Sequence, residues 1–375
     1  MKQADFYAQA NIQPFKRDLS DKGKYFQQRD ALLRQLGIVP RLLKGADIIE
    51  FGPGHGENSS FLLCNGPNRL VLVELSEECI NAAKDLLTPQ IPPQTNVEFH
   101  HLSIDQYKDD SLFDLVIFEG VIPFEPDPPA LLRQTSAFVA PGGILSITCI
   151  DPVSLFSEIL RRLIGDLAAS REHSIEQRVE ALLPIFSPHL NTVGGMTRKH
   201  EHWIIDQMIH PWSGAPLSII DAANVIADNF DIYSSAPHFM ADWRWFRDIY
   251  GDAEYLNNAQ QQYNANLHNL MDYRFSRPPR DADSNAKIHV LCSQTLKAVK
   301  TFEENGDRSE IKSVYTWVEK IAEILNDDAP ETSRSLQDYL CVLNGYLDGT
   351  PNNDFASFTD MFGRGQQYVS FIRKD

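Results

Sequence analysis

Apolar residues gather first into short runs and only later into helical stripes. The run Ile48-Ile49, continued by Phe51, opens onto glycines at alternate positions, Gly52, Gly54 and Gly56. A second run, Arg69-Leu-Val-Leu-Val-Glu74, ends in an acid, and Val97 to His101 supplies a third. Short apolar runs bounded in this way predict buried strands. Glu57 to Leu63, between the first two, has helical spacing. Ahead of the strands, residues 4 to 45 read as two helices, the second being Lys22 to Leu36 with Gly37 as its stop.

After Ile150-Asp151-Pro152 the period changes. Helical patterning runs from Ser154 to Leu183, a turn-rich stretch covers Ser187 to Gly195, and a helix is expected from about Lys199 to Ile209. A strand returns at Phe230 to Ser235. Asp242 to about Asn305 reads as helical, rich in Trp, Tyr, Asn and Gln and interrupted at Arg277-Pro278-Pro279. Helices resume at Ser309 to Ile324 and Ser333 to Leu347, and Gly363 to Arg373 alternates like a strand behind a glycine turn.

The glycine stretch carries the first chemical signal. Glycines there let the backbone turn sharply and approach a ligand without a Cβ in the way. The helix that follows begins with free N–H groups suited to a polar or negative ligand. Glu74 lies eighteen residues after Gly56, a separation at which an acid commonly accepts hydrogen bonds from ribose hydroxyls. Gly56 is followed by Glu57-Asn58-Ser59 rather than by the third glycine of the dinucleotide pattern, which points away from NAD.

Glu50-Phe-Gly52-Pro-Gly54-His-Gly56 resembles motif I of the class I S-adenosylmethionine (SAM)-dependent methyltransferases. Phe113-Asp114 through Phe118-Glu119 resembles the family's fourth strand, and Phe138-Val-Ala-Pro141-Gly142-Gly143 through Ile147 its turn into the fifth; together these motifs cover residues 46 to 150. The resemblance implies an α/β, Rossmann-like sheet of seven mostly parallel strands with an antiparallel last strand, N-terminal helices and a large helical cap insertion. It implies a helical segment 1–45, a SAM domain formed by 46–235 with 363–375 (151–228 being a helical lid), and a cap inserted at 236–362, in the final hairpin. SAM would lie across the carboxyl ends of the strands. Gly52, Gly54 and Gly56 would border its methionine part and Glu74 would hold its ribose hydroxyls, with Glu50 and Leu75 also at the cofactor; Glu119 would lie near the methyl group, either accepting a hydrogen bond from the acceptor or lining the pocket. His55 would border the cofactor by its backbone. At adenine the family usually carries an acid; this chain has Ser103 there and Asp105 two positions further, with Ile104 between them, and either polar residue is open. Tyr25, Phe26 and Arg29 either face the cofactor mouth or pack their helix onto the core.

Methyl transfer is an in-line displacement that mainly requires a positioned nucleophile, and a base is needed only when the acceptor must lose a proton. His202, Asp206 and His210 are spaced so that one continuous helix would align them. That face admits three readings: a His202–Asp206 base, a metal site for iron or zinc, or a hydrogen-bonded helix face without chemistry. His238 and Asp242, just beyond the sixth strand, fall where the resemblance places acceptor contacts. Trp243, Trp245, Phe246 and Tyr250 have partly helical spacing, so core packing of the cap is the default and an aromatic pocket wall the alternative.

Composition narrows the partners. The chain has 375 residues, 23% of them charged, and a net charge of −17. Such a surface repels phosphate backbones, and Arg161-Arg162 and Arg198-Lys199-His200 are too short to offset it. No nucleic-acid partner is therefore expected. Five cysteines with no C-x-x-C pair fit a reducing compartment. No apolar run reaches a membrane span and the N-terminus has no apolar h-region. The expectation is a cytoplasmic enzyme that uses SAM to methylate an O or N atom of a small-molecule acceptor, with no membrane partner; the oligomeric state is open, a homodimer included. A non-catalytic SAM- or nucleotide-binding module is the rival, and a nicotinamide oxidoreductase the third reading.

Overall fold

A computed structural model describes residues 19–123, 125–196, 198–212, 214–250 and 254–375. The expected helix ahead of Lys22 lies outside the described residues. The strands are β1 (Asp47–Phe51), β2 (Arg69–Glu74), β3 (Asn96–His101), β4 (Phe113–Phe118), β5 (Val139–Cys149), β6 (Phe230–Ala236) and β7 (Gln367–Arg373). They form one seven-stranded sheet in the order β3-β2-β1-β4-β5-β7-β6. Pairing is parallel from β3 through β5, and β7 runs antiparallel to both β5 and β6. Seven strands, mostly parallel, with an antiparallel last strand are the sheet that the sequence motifs imply. Because β7 is antiparallel to both neighbours, β6 points the same way as β4, and the carboxyl ends of β1, β2, β4 and β6 share one end of the sheet.

β1, β2 and β4 are buried on both faces, which explains their continuous apolar runs. On one face Ile48, Leu70, Leu72, Leu115 and Ile117 meet Phe61, Leu62 and Leu63 of the helix Glu57–Cys64 and Ile80 and Leu87 of the helix Glu77–Leu87. On the other, the ring of Phe51 lies 5.5–6.0 Å from those of Tyr107, Phe118 and Phe138. Ser76 caps the helix Glu77–Leu87 through the Cys79 N–H.

The chain divides into two compact units. The first holds the sheet: residues up to Ile150, Ser213–Tyr263 and Gln366–Asp375. The second is helical and made of Asp151–Trp212 with Asn264–Gly365. The stretch between β6 and β7 is thus shared, its early part lying with the sheet and its later part with the helices that follow β5.

In the second unit, Phe156–Ala168 packs against Ala282–Asn305 and Pro330–Leu347. Arg161, fully buried there, donates from Nε to His189 Nδ1 at 3.1 Å and from Nη2 to the Met361 carbonyl at 2.7 Å. The helix Ile175–Leu190 begins with a Ser174–Gln177 capping box. Among the described residues, no helix is long and apolar enough to cross a membrane.

Candidate active site

β1 ends in the glycine loop because its last apolar residue, Phe51, is followed by a backbone no side chain could share. Gly52 has φ +67°, and a Cβ there would meet Val121 Cγ2 at 2.8 Å. Gly54 has φ +56°, yet a Cβ there would meet nothing within 4 Å. Gly52 is therefore required by protein packing, whereas Gly54 borders open space. Gly56 directly precedes the helix Glu57–Cys64.

Glu74, at the carboxyl end of β2, faces this loop. Its Oε2 accepts the Gly54 N–H at 3.0 Å and its Oε1 the Ser76 N–H at 2.9 Å. Each carboxylate oxygen keeps acceptor capacity beyond these bonds. Leu75 beside it is exposed, and its carbonyl lies 3.0 Å from His101 Nε2. Beyond β3, the Ser103 carbonyl accepts the Gln106 and Tyr107 N–H groups, each at 3.1 Å, and the Ile104 carbonyl accepts Gln134 Nε2 at 3.0 Å. Asp105 is exposed. The four residues Ser103 to Gln106 thus form a turn on the rim of the same sheet end.

Under the loop, Glu50 is buried and accepts the Ser59 hydroxyl. Burial pushes its carboxyl up to about 7; the Ser59 hydrogen bond and Arg29 oppose the shift, and Glu119 and Glu57 add to it. Glu119, just past β4, is claimed by the N-terminal helix Lys22–Gln35. Arg29 Nη1 and Nη2 donate to its two oxygens at 2.9 and 3.1 Å, with side-chain exposures of only 4% and 7%. Burial pulls the Arg29 guanidinium down, but Glu119 outweighs it and holds the charge in place. Asn58 Nδ2 donates to the same carboxylate at 3.1 Å, and the Tyr25 hydroxyl donates to Asn58 Oδ1.

The helix is tied along its whole length. Lys22 reaches Gln90, Phe26 packs edge-on against Phe61 at 5.3 Å, and Ser234 and Ser370 donate to the carbonyls of Gln35 and Leu36. Tyr25 and Arg29 are therefore buried and bonded to Asn58 and Glu119, which packs their helix onto the first unit. The sequence reading missed Asn58, the bridge between helix and Glu119. Its side chain sits in the first turn of a helix whose spacing marks only the apolar face.

The cluster at 200–210 departs from its expected geometry. The α-helix covers only His200–Ile204, and Ile205–Ile209 is a π-helical turn in which the His210 N–H reaches the Ile205 carbonyl at 2.7 Å. His202, Asp206 and His210 consequently do not share one regular α-helical face. Asp206 accepts Arg198 Nη1 at 2.7 Å and Gln207 Nε2 at 2.8 Å. Burial, with Arg198 and Lys199, pulls the His202 imidazole down. All three residues belong to the second unit. Among the described residues, no group of three or more His, Cys, Asp or Glu is arranged to hold a metal ion.

The aromatic run after β6 corrects a second expectation. Residues 242–250 are not an extended helix; only Phe246–Asp248 form a single 3-10 turn, and the next α-helix is Tyr255–Asn266. Trp243, Trp245, Phe246 and Tyr250 are exposed rather than packed in a core. Helical spacing alone could not show whether anything covers that face. His238 Nδ1 sits 3.1 Å from the Ser234 hydroxyl, and Asp242 is paired with Arg244.

The sheet order, the glycine loop and the acid at Glu74 define a nucleotide-binding α/β domain. Residues 23–184 match the family model described as a methyltransferase domain. The chain is 28% identical over 121 residues to the tRNA U34 carboxymethyltransferase of Alteromonas mediterranea, covering 30% of this chain and 36% of that protein. It is 29% identical over 110 residues to the ubiquinone biosynthesis O-methyltransferase of Coxiella burnetii, covering 29% of this chain and 45% of that protein. The chain thus spans less than half the length of these curated relatives. A solved magnesium protoporphyrin IX methyltransferase from Synechocystis is 15% identical, with a TM-score of 0.37 over 65% of this chain and 89% of that one.

Proposed function

We propose that this protein transfers the methyl group of SAM to an O or N atom of a small molecule. The observation that carries the reading is the arrangement around Gly54: a left-handed glycine over open space, its N–H held by a carboxylate with acceptor capacity to spare. That space suits the sugar and chain of a nucleoside ligand, with Glu74 accepting the ribose hydroxyls. Exposed Leu75 offers an apolar surface to a base, and Ser103 to Asp105 offer its polar edge.

When bound, SAM supplies a methyl group on a sulfonium. The S–CH3 bond breaks as the acceptor's O–CH3 or N–CH3 bond forms, S-adenosylhomocysteine departs, and any acceptor proton passes to a base or to water. The protein's part is to hold the acceptor in line and exclude water. His202 is retained as the candidate base, without Asp206 as its partner, since that carboxylate is paired with Arg198.

The names of several relatives include tRNA, which makes nucleic acid the second reading. The net charge of −17 weighs against it. The test is transfer of radiolabelled methyl from SAM to a mixed panel of phenols and amines, with total tRNA as a parallel arm. Label on the small molecules supports the proposal. Label on tRNA alone overturns the acceptor class, and failure of SAM and S-adenosylhomocysteine to bind overturns the whole reading.

A further inference from the structure

The exposed segment 242–250 has no place in the SAM site, yet it springs from the sheet end that carries it. Trp243 is 92% exposed, Phe246 71%, Tyr250 78% and Trp245 59%. Trp245 and Phe246 are in ring contact at 6.1 Å, and large aromatics left in solvent forgo burial worth up to roughly 3 kcal/mol each, an exposure that marks a binding surface.

Charge and chain geometry narrow the ligand. Arg244 is neutralised by Asp242, its Nε donating at 2.9 and 3.0 Å. The guanidinium of Arg247 lies 5.1 Å from the ring centroid of Trp245 and 5.7 Å from that of Phe246, and no ion pair is recorded for it among the described residues. The segment therefore presents flat apolar faces and one cation in a chain of net charge −17. A polyanion would be repelled by the remainder of the surface, whereas a small molecule with one anionic group would meet mainly this arginine.

The segment also has the reach to meet a ligand at the SAM site. Phe239 is anchored on Tyr263 at 5.2 Å, and the arm starts at Pro237 beside an open depression of about 840 Å³ bordered by Gly37, Tyr233, Ser234 and His238. From the anchored Phe239, four residues of extended chain to Trp243 span about 13 Å, to which the indole adds its own length. The carboxyl end of β4 is three strand spacings from β6, about 14 Å, and that of β1 one spacing more, about 19 Å.

We propose that residues 242–250 are an acceptor-binding arm and that the acceptor is a flat aromatic molecule bearing one anionic substituent, its ring taken by Trp243 and Trp245 and its anion by Arg247. This rests on the methyltransferase reading above. The stacking surface supplies aromatic selectivity, and Arg247, already aligned on ring faces, supplies a charge-assisted hydrogen bond.

The test uses the full chain with S-adenosylhomocysteine present and three probes: 3,4-dihydroxybenzoate, catechol and glycine. Acrylamide quenching of Trp243 is isolated as the difference between the parent and Trp243→Phe. The proposal expects quenching to fall severalfold with 3,4-dihydroxybenzoate, to fall less with catechol, and to stay unchanged with glycine. Arg247→Gln should weaken 3,4-dihydroxybenzoate at least tenfold and catechol less than twofold, with S-adenosylhomocysteine affinity unaltered. Unchanged Trp243 quenching with both aromatic probes overturns the proposal, as does shielding by phosphatidylcholine vesicles or by a single-stranded oligonucleotide without them. S-adenosylhomocysteine binding, followed separately by calorimetry, keeps the two readings apart: its loss in the parent protein defeats the methyltransferase reading, whereas its retention with an unshielded Trp243 defeats only the arm.

Discussion

Removing the carboxylate of Glu119 should release the N-terminal helix from the site, and the size of the effect can be worked from the pair it makes. Arg29 and Glu119 are almost wholly buried and joined by two hydrogen bonds. Glu119→Ala would leave the guanidinium in the interior with no compensating charge, a change that typically costs about 3–5 kcal/mol. Replacing both partners, as in Arg29→Met with Glu119→Leu, should return most of that stability, because neither charge then has to be desolvated. The chain forms two compact units, so a single global unfolding midpoint would mix events. Amide hydrogen exchange of Lys22–Gln35 is the sharper assay. The single variant should lose roughly two to three orders of magnitude of protection in that helix, and the double variant less than one. Loss of less than tenfold in Glu119→Ala would refute the claim that this pair holds the helix down.

Three further outcomes follow from the site. Because folding raises the Glu50 carboxyl from its ordinary range to about 7, its stabilising contribution is intact below about pH 4.5 and is lost as pH rises through about 7. Glu50→Gln should therefore gain stability relative to the parent between pH 5 and 8, by something on the order of 3 kcal/mol; a stability difference flat across pH in denaturant melts counts against this. Gly54→Val meets open space but must hold a left-handed backbone, so it should cost about 1–2 kcal/mol of stability. It should weaken S-adenosylhomocysteine far more than that strain alone, and calorimetry showing parental affinity would contradict the ligand's placement over Gly54. His202→Ala should lower turnover at saturating acceptor while SAM affinity stays put, and equal turnover would assign the 200–210 cluster to structure alone.

The sheet was legible because each of its signals is local. The apolar run to Phe51, the glycines after it and Glu74 at the end of the next run lie close together in sequence and come together in space as expected. Gln367–Arg373 was legible for a similar reason, since strand alternation needs no partner to be seen, and its pairing with β6 follows from topology. The Arg29–Glu119 pair was not legible as a pair, because ninety residues separate its members and neither carries a mark of the other. The π-helical turn at Ile205–Ile209 has no signature in residue spacing, so a pattern counted at four-residue intervals aligned His202, Asp206 and His210 on a face that the backbone does not keep. Trp243 to Tyr250 failed differently. Their spacing states which side chains could share a face, but burial depends on whether another element is present to cover it.

The proposed SAM site is the open space over Gly54 beside Glu74, and titration calorimetry of S-adenosylhomocysteine into the parent chain and Glu74→Ala tests it most directly. The account predicts one site per chain in the parent, no heat with NAD, and at least a tenfold loss of affinity in a Glu74→Ala variant that remains folded by circular dichroism. Unchanged affinity in that variant, or binding of NAD in place of S-adenosylhomocysteine, would contradict it.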